Sequence, residues 1–256
     1  GGGVYYTDGQ NHSRVPLISN PGINHNGTPS GHPEHGDNAR TLREMKHIIA
    51  AYRTRVLPEG EIVAWGSNDH GQCNVPEPNE GFVFVDCGQF HSVGLKKDGS
   101  IVAWGSNLNG ETDVPEPNSG FVAVSAGLEH NLGLKYDGSI VAWGINSFSE
   151  CNVPEPNSGF VAVSAGTQLS LGLKCNGTIV LWGNECPVLE PNMGFVAAAA
   201  SNRFMLGLKS DGLIIARGVN DHGQCDVPAQ NSDFVALAAG MNHSLGLKTD
   251  GSIVVW

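Results

Sequence analysis

Side chains able to bind a metal, attack a carbonyl or carry a proton fall into two sets in this chain, and their spacing limits what each can do. His12, His25, His32 and His35 lie in a stretch rich in Gly and Pro. A helical zinc site needs two histidines four residues apart on one face, and His32-Pro33-Glu34-His35 has neither that spacing nor a helix-compatible interior. His91, His130 and His243 instead share one position of an internal repeat, and the other two copies hold Leu169 and Phe204 there. A position that accepts Leu and Phe is a core position, so these are predicted to be core histidines. Cys73, Cys151 and Cys225 likewise share a repeat position, with Thr112 in the intervening copy. Equivalent positions in non-adjacent repeats lie too far apart for a disulfide, which predicts free, half-buried thiols. No Ser-His-Asp order, paired-carboxylate motif or phosphate-binding loop stands out. Asp69-His70 and Asp221-His222 read as solvated loop residues.

The repeat that places these residues is marked by tryptophan. Trp65, Trp104, Trp143 and Trp182 are spaced by 39 (104 − 65, 143 − 104, 182 − 143), each within Val-Ala-Trp-Gly or Val-Leu-Trp-Gly. The next equivalent is Arg217-Gly218, 35 residues on (217 − 182), and Trp256 restores the period of 39 (256 − 217). Arg217 breaks a ladder of packing residues and needs a carboxylate or water as partner.

Each unit carries three apolar segments. Phe121 to Gly127 alternates and is β-branched like a strand, Leu132 to Lys135 is the second segment, and Ser139 to Trp143 is the third. Asp98-Gly99, Asp137-Gly138, Asn176-Gly177, Asp211-Gly212 and Asp250-Gly251 separate the second from the third, predicting an antiparallel hairpin with a type I′ turn. The long links, such as Gly66 to Pro78, carry prolines that cannot donate to a ladder, so they cross the surface. A small three-stranded sheet cannot bury both faces alone, whereas radial stacking of such sheets can. The expected fold is all-β: a β-propeller of three-stranded blades. Five units are complete, Phe82 to Trp104, Phe121 to Trp143, Phe160 to Trp182, Phe195 to Arg217 and Phe234 to Trp256, and Ile62 to Trp65 is an orphan third strand.

Charge narrows the function classes. Against 25 Asp and Glu stand 14 Lys and Arg, a net −11, which repels a phosphate backbone. Nucleic acid is not an expected partner. No apolar run approaches the roughly 20 residues of a membrane helix, so no membrane partner is expected either. The chain opens Gly1-Gly2-Gly3-Val4 without an initiator Met and stops inside a strand motif, which reads as a fragment of a longer protein.

Gly-Ser-Ile-Val-Ala-Trp-Gly-Ser-Asn, Gly-Gln-Cys-Asn-Val-Pro and Ala-Gly-Leu-Glu-His-Asn-Leu-Gly-Leu-Lys resemble the regulator-of-chromosome-condensation repeat. The short period and the Val-Pro link resemble its bacterial branch, which includes the propeller-type β-lactamase inhibitor proteins. That resemblance implies seven blades, with Ile62 to Trp65 closing the ring against strands from the end of the chain. Five blades and one orphan strand then form an incomplete ring, expected to be marginal because an open arc exposes blade faces and a sheet edge.

Residues 1–57 show no repeat. Leu42, Met45, Ile49 and Tyr52 share one helical face, with Asp37 or Asn38 as N-cap. Arg14 to Pro21, Asn26 to Gly31 and Asp37 to Arg40 resemble the C-terminal end of reprolysin-like metzincin zinc peptidases. The resemblance implies that 1–57 is the tail of an upstream domain whose zinc motif lies outside this chain, and an extracellular or cell-envelope setting. Residues 58–256 are the repeat array, with no cofactor expected.

What varies between units points to recognition. The pair before the second strand reads Gln89-Phe90, Leu128-Glu129, Thr167-Gln168, Asn202-Arg203 and Met241-Asn242, and the links differ at Leu108-Asn109 and Ser147-Phe148. A constant frame with variable loops is how a scaffold presents a binding surface. Phe90, Leu128, Glu129, Arg203, Met241, Leu108 and Phe148 are therefore the candidate contacts of a non-catalytic protein-binding scaffold, monomeric when full length. The alternative is an accessory module of a zinc metallopeptidase. Nucleotide exchange or chromatin binding would rest on fold analogy alone.

Overall fold

A computed structural model describes residues 60–184 and 190–256, together with a short antiparallel pairing of Asn24–His25 (β1) with Thr28–Pro29 (β2). The sequence-predicted helix at 40–52, the four histidines before it and Cys186 lie outside the fully described residues.

Fifteen strands follow, in five antiparallel sheets of three. Blade 1 contains Phe82–Cys87 (β3), His91–Lys96 (β4) and Ile101–Gly105 (β5). Blade 2 contains Phe121–Ala126 (β6), His130–Lys135 (β7) and Ile140–Gly144 (β8). Blade 3 contains Phe160–Ala165 (β9), Leu169–Lys174 (β10) and Ile179–Gly183 (β11). Blade 4 contains Phe195–Ala200 (β12), Phe204–Lys209 (β13) and Ile214–Gly218 (β14). Blade 5 contains Phe234–Ala239 (β15), Ser244–Lys248 (β16) and Ile253–Val255 (β17).

The middle strand of each sheet is the Leu-Gly-Leu-Lys segment. First strands of neighbouring blades touch one another, and each second strand also packs on the first strand of the next blade. Third strands make no such run of contacts, so the first strands lie toward the axis and the third strands at the outside. The sheets are the blades of a β-propeller.

Local chemistry explains why each blade forms. The Phe that opens the first strand lies against the glycine of the second: a Cβ on Gly133 would sit 2.5 Å from the Phe121 ring, and one on Gly207 2.6 Å from that of Phe195. Glycine is required there by close approach. The lysine that ends the second strand covers the same ring from outside, with Lys135 Nζ 4.3 Å from the Phe121 centroid and Lys209 Nζ 3.9 Å from that of Phe195. Lys135 Nζ also donates to Pro117 O at 2.8 Å, tying the incoming link to the strand it precedes. An asparagine in each link clamps the third strand of the blade before it: Asn118 accepts from Ile101 N and donates to Ile101 O, both at 2.8 Å. Asn157 does the same to Ile140.

The Asp-Gly hairpins depart from expectation in turn type. Gly99 N donates to Lys96 O and Lys96 N to Ser100 O, and only Gly99, at φ +84°, has positive φ. This is a three-residue loop, a type I turn with a glycine bulge, rather than a type I′ turn. Asp98 Oδ1 accepts from both Ser100 N (2.9 Å) and Ser100 Oγ (2.7 Å), a local pairing that holds the aspartate in the right-handed region.

The segment Ile62 to Trp65 makes no ladder; Gly60 bridges to Phe82, and Asn79 clamps Ile62 through its N (2.8 Å) and O (2.9 Å). Its third-strand chemistry is intact, but the second strand it would pair with is not among the described residues. Trp65 is accordingly 84% exposed, against 7% for Trp104.

Candidate functional site: the rim of first-to-second-strand turns

A common hydrogen-bond grammar runs across the blades. Trp104 Nε1 donates to Gln72 O (2.9 Å), Trp143 Nε1 to Glu111 O (2.9 Å) and Trp182 Nε1 to Glu150 O (2.7 Å). The residue facing each Trp across the ladder donates to the same carbonyl: Ser92 to Gln72 O, Asn131 to Glu111 O and Ser170 to Glu150 O. These tryptophans are packing residues, as their period implies.

The histidines join this network from the preceding blade. Asn131 uses its amide N–H on Glu111 O, so its Oδ1 accepts from His91 Nε2 at 2.8 Å. Ser170 gives its hydroxyl proton to Glu150 O and accepts from His130 Nε2 at 2.9 Å. Nε2 is therefore the protonated nitrogen facing the acceptor in both rings, which are fully buried, so the Ser170 hydroxyl meets a proton donor on His130 rather than a base. Burial, with His91 nearby, pushes His130 from 6.5 down to about 4, and its Nδ1 has no hydrogen-bond partner.

In the sequence, Leu169 and Phe204 at the histidine position look like free exchange with apolar groups; the geometry accounts for Leu169 by its neighbour, whereas Phe204 precedes a blade that carries the polar Ser244. Every histidine with a described blade after it faces a polar acceptor. In blade 4 the acceptor position is Met205, and the histidine before it has become Leu169. Met205 faces Arg217, so the Ser–Trp pair of donors has been replaced as a unit. Blade 4 is also the one whose incoming link is four residues shorter, 12 from Gly183 to Phe195 against 16 from Gly144 to Phe160. Repeat spacing revealed the shortened link; the linked change of Leu169, Met205 and Arg217 required knowing which residues face one another. His243 departs from the core reading and is exposed, since no described blade covers it.

Five cysteines are free thiols as expected, among them Cys73, Cys151 and Cys225. Cys151 Sγ donates to Ile145 O at 3.3 Å, and burial followed by the neighbouring Glu150 raises its pKa to about 11, the opposite of a reactive thiolate. Among the described residues no group of three or more His, Cys, Asp or Glu could hold a metal ion.

The turns between first and second strands gather at one end of the array. They are bonded to one another: Gln89 N donates to Leu128 O (3.1 Å), Leu128 N to Gly166 O (3.1 Å), Thr167 N to Ser201 O (3.3 Å) and Ser201 Oγ to Gly240 O (2.6 Å). A second tier lies just beneath, with Ala126 N on Asp86 Oδ2 (3.0 Å), Ala165 N on Ser125 Oγ (3.1 Å) and Ala200 N on Ser164 Oγ (3.0 Å). Burial raises the Asp86 carboxyl pKa above the usual carboxylate value, partly opposed by hydrogen bonds from Ala126 and Cys87.

The outgoing links start at the same end. Ser106 N donates to Phe90 O, Ile145 N to Glu129 O, Asn184 N to Gln168 O and Val219 N to Arg203 O. Link tips then lie over the rim, and the His70 ring sits 4.5 Å from that of Phe90. In the next links Asn109 N donates to Glu111 and Phe148 N to Glu150, each at 2.7 Å, which fixes the tips bearing Leu108 and Phe148.

The structure thus gathers Phe90, Leu128, Glu129, Arg203 and Met241 on one rim, and sets Leu108 and Phe148 on the links that leave it. Leu108, Phe148 and Met241 are exposed, while Phe90, Leu128 and Glu129 are half-buried. Arg203 is exposed and alone among the turn residues adopts φ +58°. The hairpin turns and the five ring-covering lysines occupy the opposite end.

Comparison with known proteins agrees with this architecture. A search of curated proteins gives no match. Among solved structures, the CRINKLY WD40 ectodomain from the Arabidopsis thaliana receptor kinase ACR4 superposes with a TM-score of 0.60 at 25% identity, covering 75% of this chain and 70% of that one. The ectodomain of the Physcomitrella patens receptor kinase CR4 gives 0.60 at 24%, covering 75% and 55%. Prp20p from Saccharomyces cerevisiae gives 0.61 at 18%, covering 75% and 66%. The sequence matches the Regulator of chromosome condensation (RCC1) repeat over residues 82–111 and 121–150. Two of the five blades thus match that repeat directly, the other three follow the same strand pattern, and the array is a β-propeller similar to proteins built from such repeats.

Proposed function

We propose that this array is a non-catalytic protein-binding scaffold and that the rim of first-to-second-strand turns is its binding surface. One observation carries the reading: successive turns are hydrogen-bonded into a continuous rim, yet their side chains differ from blade to blade. A rigid frame presenting variable, partly apolar side chains supplies anchors with little ordering cost on binding. Phe90, Leu108, Phe148 and Met241 are the apolar anchors, with Leu128, Glu129 and Arg203 between them. Prp20p, described by its binding to Gsp1p and histones, shows that a propeller of this shape can serve proteins as partners; at 18% identity it carries no information on which.

The test is affinity capture with three forms of the chain. One is unchanged, one has Phe90, Leu108, Phe148 and Met241 replaced by Ser, and one has the exposed hairpin-end apolar residues Tyr136, Met193 and Leu213 replaced by Ser. A protein retained by the first and third forms and lost by the second is expected. Retention of the same protein by all three would overturn the assignment.

The parent protein is proposed to be a larger, extracellular or cell-envelope polypeptide in which the array serves a zinc metallopeptidase as a targeting or docking module. This rests on the resemblance of Arg14 to Arg40 to a metzincin tail. Coding sequence upstream with His-Glu-x-x-His-x-x-Gly-x-x-His is the expected finding, and its absence would remove the peptidase.

A further inference from the structure

Positive charge is divided unevenly between the two ends of the array. The repeats contain six lysines and two arginines. Five of the lysines are the residues that cover the phenylalanine rings at the hairpin end, and the sixth, Lys97, sits in a hairpin turn there. Both arginines, Arg203 and Arg217, belong to blade 4 and both are exposed. They lie close together along the backbone at the rim end: Arg203 O accepts from Val219 N at 2.9 Å, and Phe204 pairs with Gly218, the residue after Arg217. Around them the rim and its links are acidic, with Glu129, Asp69 and Asp221 at turn and link positions.

Two features set these arginines apart from ordinary surface charge. Arg217 stands where the other complete blades carry a tryptophan, and its appearance is tied to Met205 and Leu169. Arg203 holds a left-handed backbone that residues with a Cβ avoid, and its guanidinium makes no hydrogen bond or ion pair among the described residues. Strain held at an exposed, unpaired arginine is not explained by stability.

We propose that blade 4 carries the polar anchor of the rim, and that Arg203 and Arg217 receive carboxylates of an acidic peptide segment on the protein partner. This rests on the protein-binding reading of the rim and specifies the partner's chemistry. An acidic segment is repelled by Asp69 and Glu129 on the earlier links and turns and attracted by the two arginines of blade 4, where Asp221 is the opposing charge, so the charge pattern fixes where along the arc the partner docks. A guanidinium suits a carboxylate through forked hydrogen bonds, and the Arg217 group, which donates one N–H to Ala216 O at 3.0 Å, has further N–H donors.

The probe is a fluorescently labelled hexaglutamate peptide, monitored by anisotropy with the full chain at low and at high salt. Binding that weakens with salt and falls about tenfold in R203G/R217S is expected. R203K should retain most of it. R203G alone relieves the left-handed strain, so its melting temperature should not drop, and the part of the loss already seen in R203G cannot be ascribed to unfolding. Absence of peptide binding, or equal affinity in R203G/R217S, overturns the proposal. So does equal, arginine-dependent binding of phosphatidylserine vesicles or of a DNA duplex, since the site would then be a general anion site. If capture of the partner is lost in the four-serine rim variant but unchanged in R203G/R217S, the rim reading stands and the acidic assignment falls.

Discussion

Blades 2 to 4 and blade 5 are written in nearly the same residues and have the same ladders, yet they differ in burial. Ile140 and Ile214, at the start of their third strands, are 3% and 1% exposed, whereas Ile253 at the same position is 66% exposed. Leu134 and Leu208 are buried, while Leu247 is 37% exposed. The difference comes from the neighbouring blade. Ile140 reaches the Phe160–Gly172 contact of blade 3, and Ile214 reaches Phe234–Gly246 of blade 5; no described blade comes after Ile253. The first blade shows the converse, because Ile62 occupies that place against Phe82 and Gly94 although its own blade is not among the described residues. A blade's ladder is therefore made locally, and its core is completed by its neighbour. Burying one isoleucine contributes about 1.5–3 kcal/mol, so the last blade holds less stability with the same sequence.

A matched truncation should separate the inner blades from the last one most strongly. Ile140→Ala should cost about 2–5 kcal/mol in chemical denaturation, and Ile253→Ala within about 0.5. Equal losses would mean that the two blades are alike in solution. Acid should act next, through the buried histidine. His130 has a folded pKa of about 4 against 6.5 for the unfolded chain, so the unfolded state binds the extra proton first. Stability should be constant above about pH 6.5 and fall by up to about 3 kcal/mol on approach to pH 4. His130→Leu, the residue blade 3 carries at this position, should flatten that dependence, and an unchanged pH profile of melting would contradict it. Gly133→Ala, which drives a methyl into the Phe121 ring, should cost about 1–3 kcal/mol, and Gly246→Ala less, since the exposed last blade can shift. The smallest effect has the opposite sign: Arg203→Gly should raise stability by about 1 kcal/mol in the same denaturation measurement.

Much of this architecture was legible in the sequence because repetition multiplies weak signals. Tryptophan spacing, the Asp-Gly pairs and the proline links located all fifteen blade strands. Turn type was not legible: Asp98-Gly99 fits two hairpin geometries, and the choice depends on the Asp98–Ser100 pairing rather than on the dipeptide. The histidine rule was hidden for a different reason. His130 faces Ser170 and Leu169 is matched with Met205, 40 and 36 positions later (170 − 130, 205 − 169), and that adjacency exists only once blades stack. The candidate contacts Phe90, Leu128, Glu129, Arg203 and Met241 are visible in the sequence as variable positions, while the bonds that join the first four turns run between backbone atoms and leave no mark on residue type; only the last junction, through Ser201 Oγ, uses a side chain.

The central claim is that neighbouring blades hold the turns as one rigid rim, and amide hydrogen exchange resolved to single residues tests it most directly. Gln89, Leu128 and Thr167 lie in surface turns but donate to the next blade, so their amides should exchange orders of magnitude more slowly than those of Met241 and Asn242, which have no described blade after them. Equally fast exchange at all five would show that the turns move independently and that the rim does not exist as a surface.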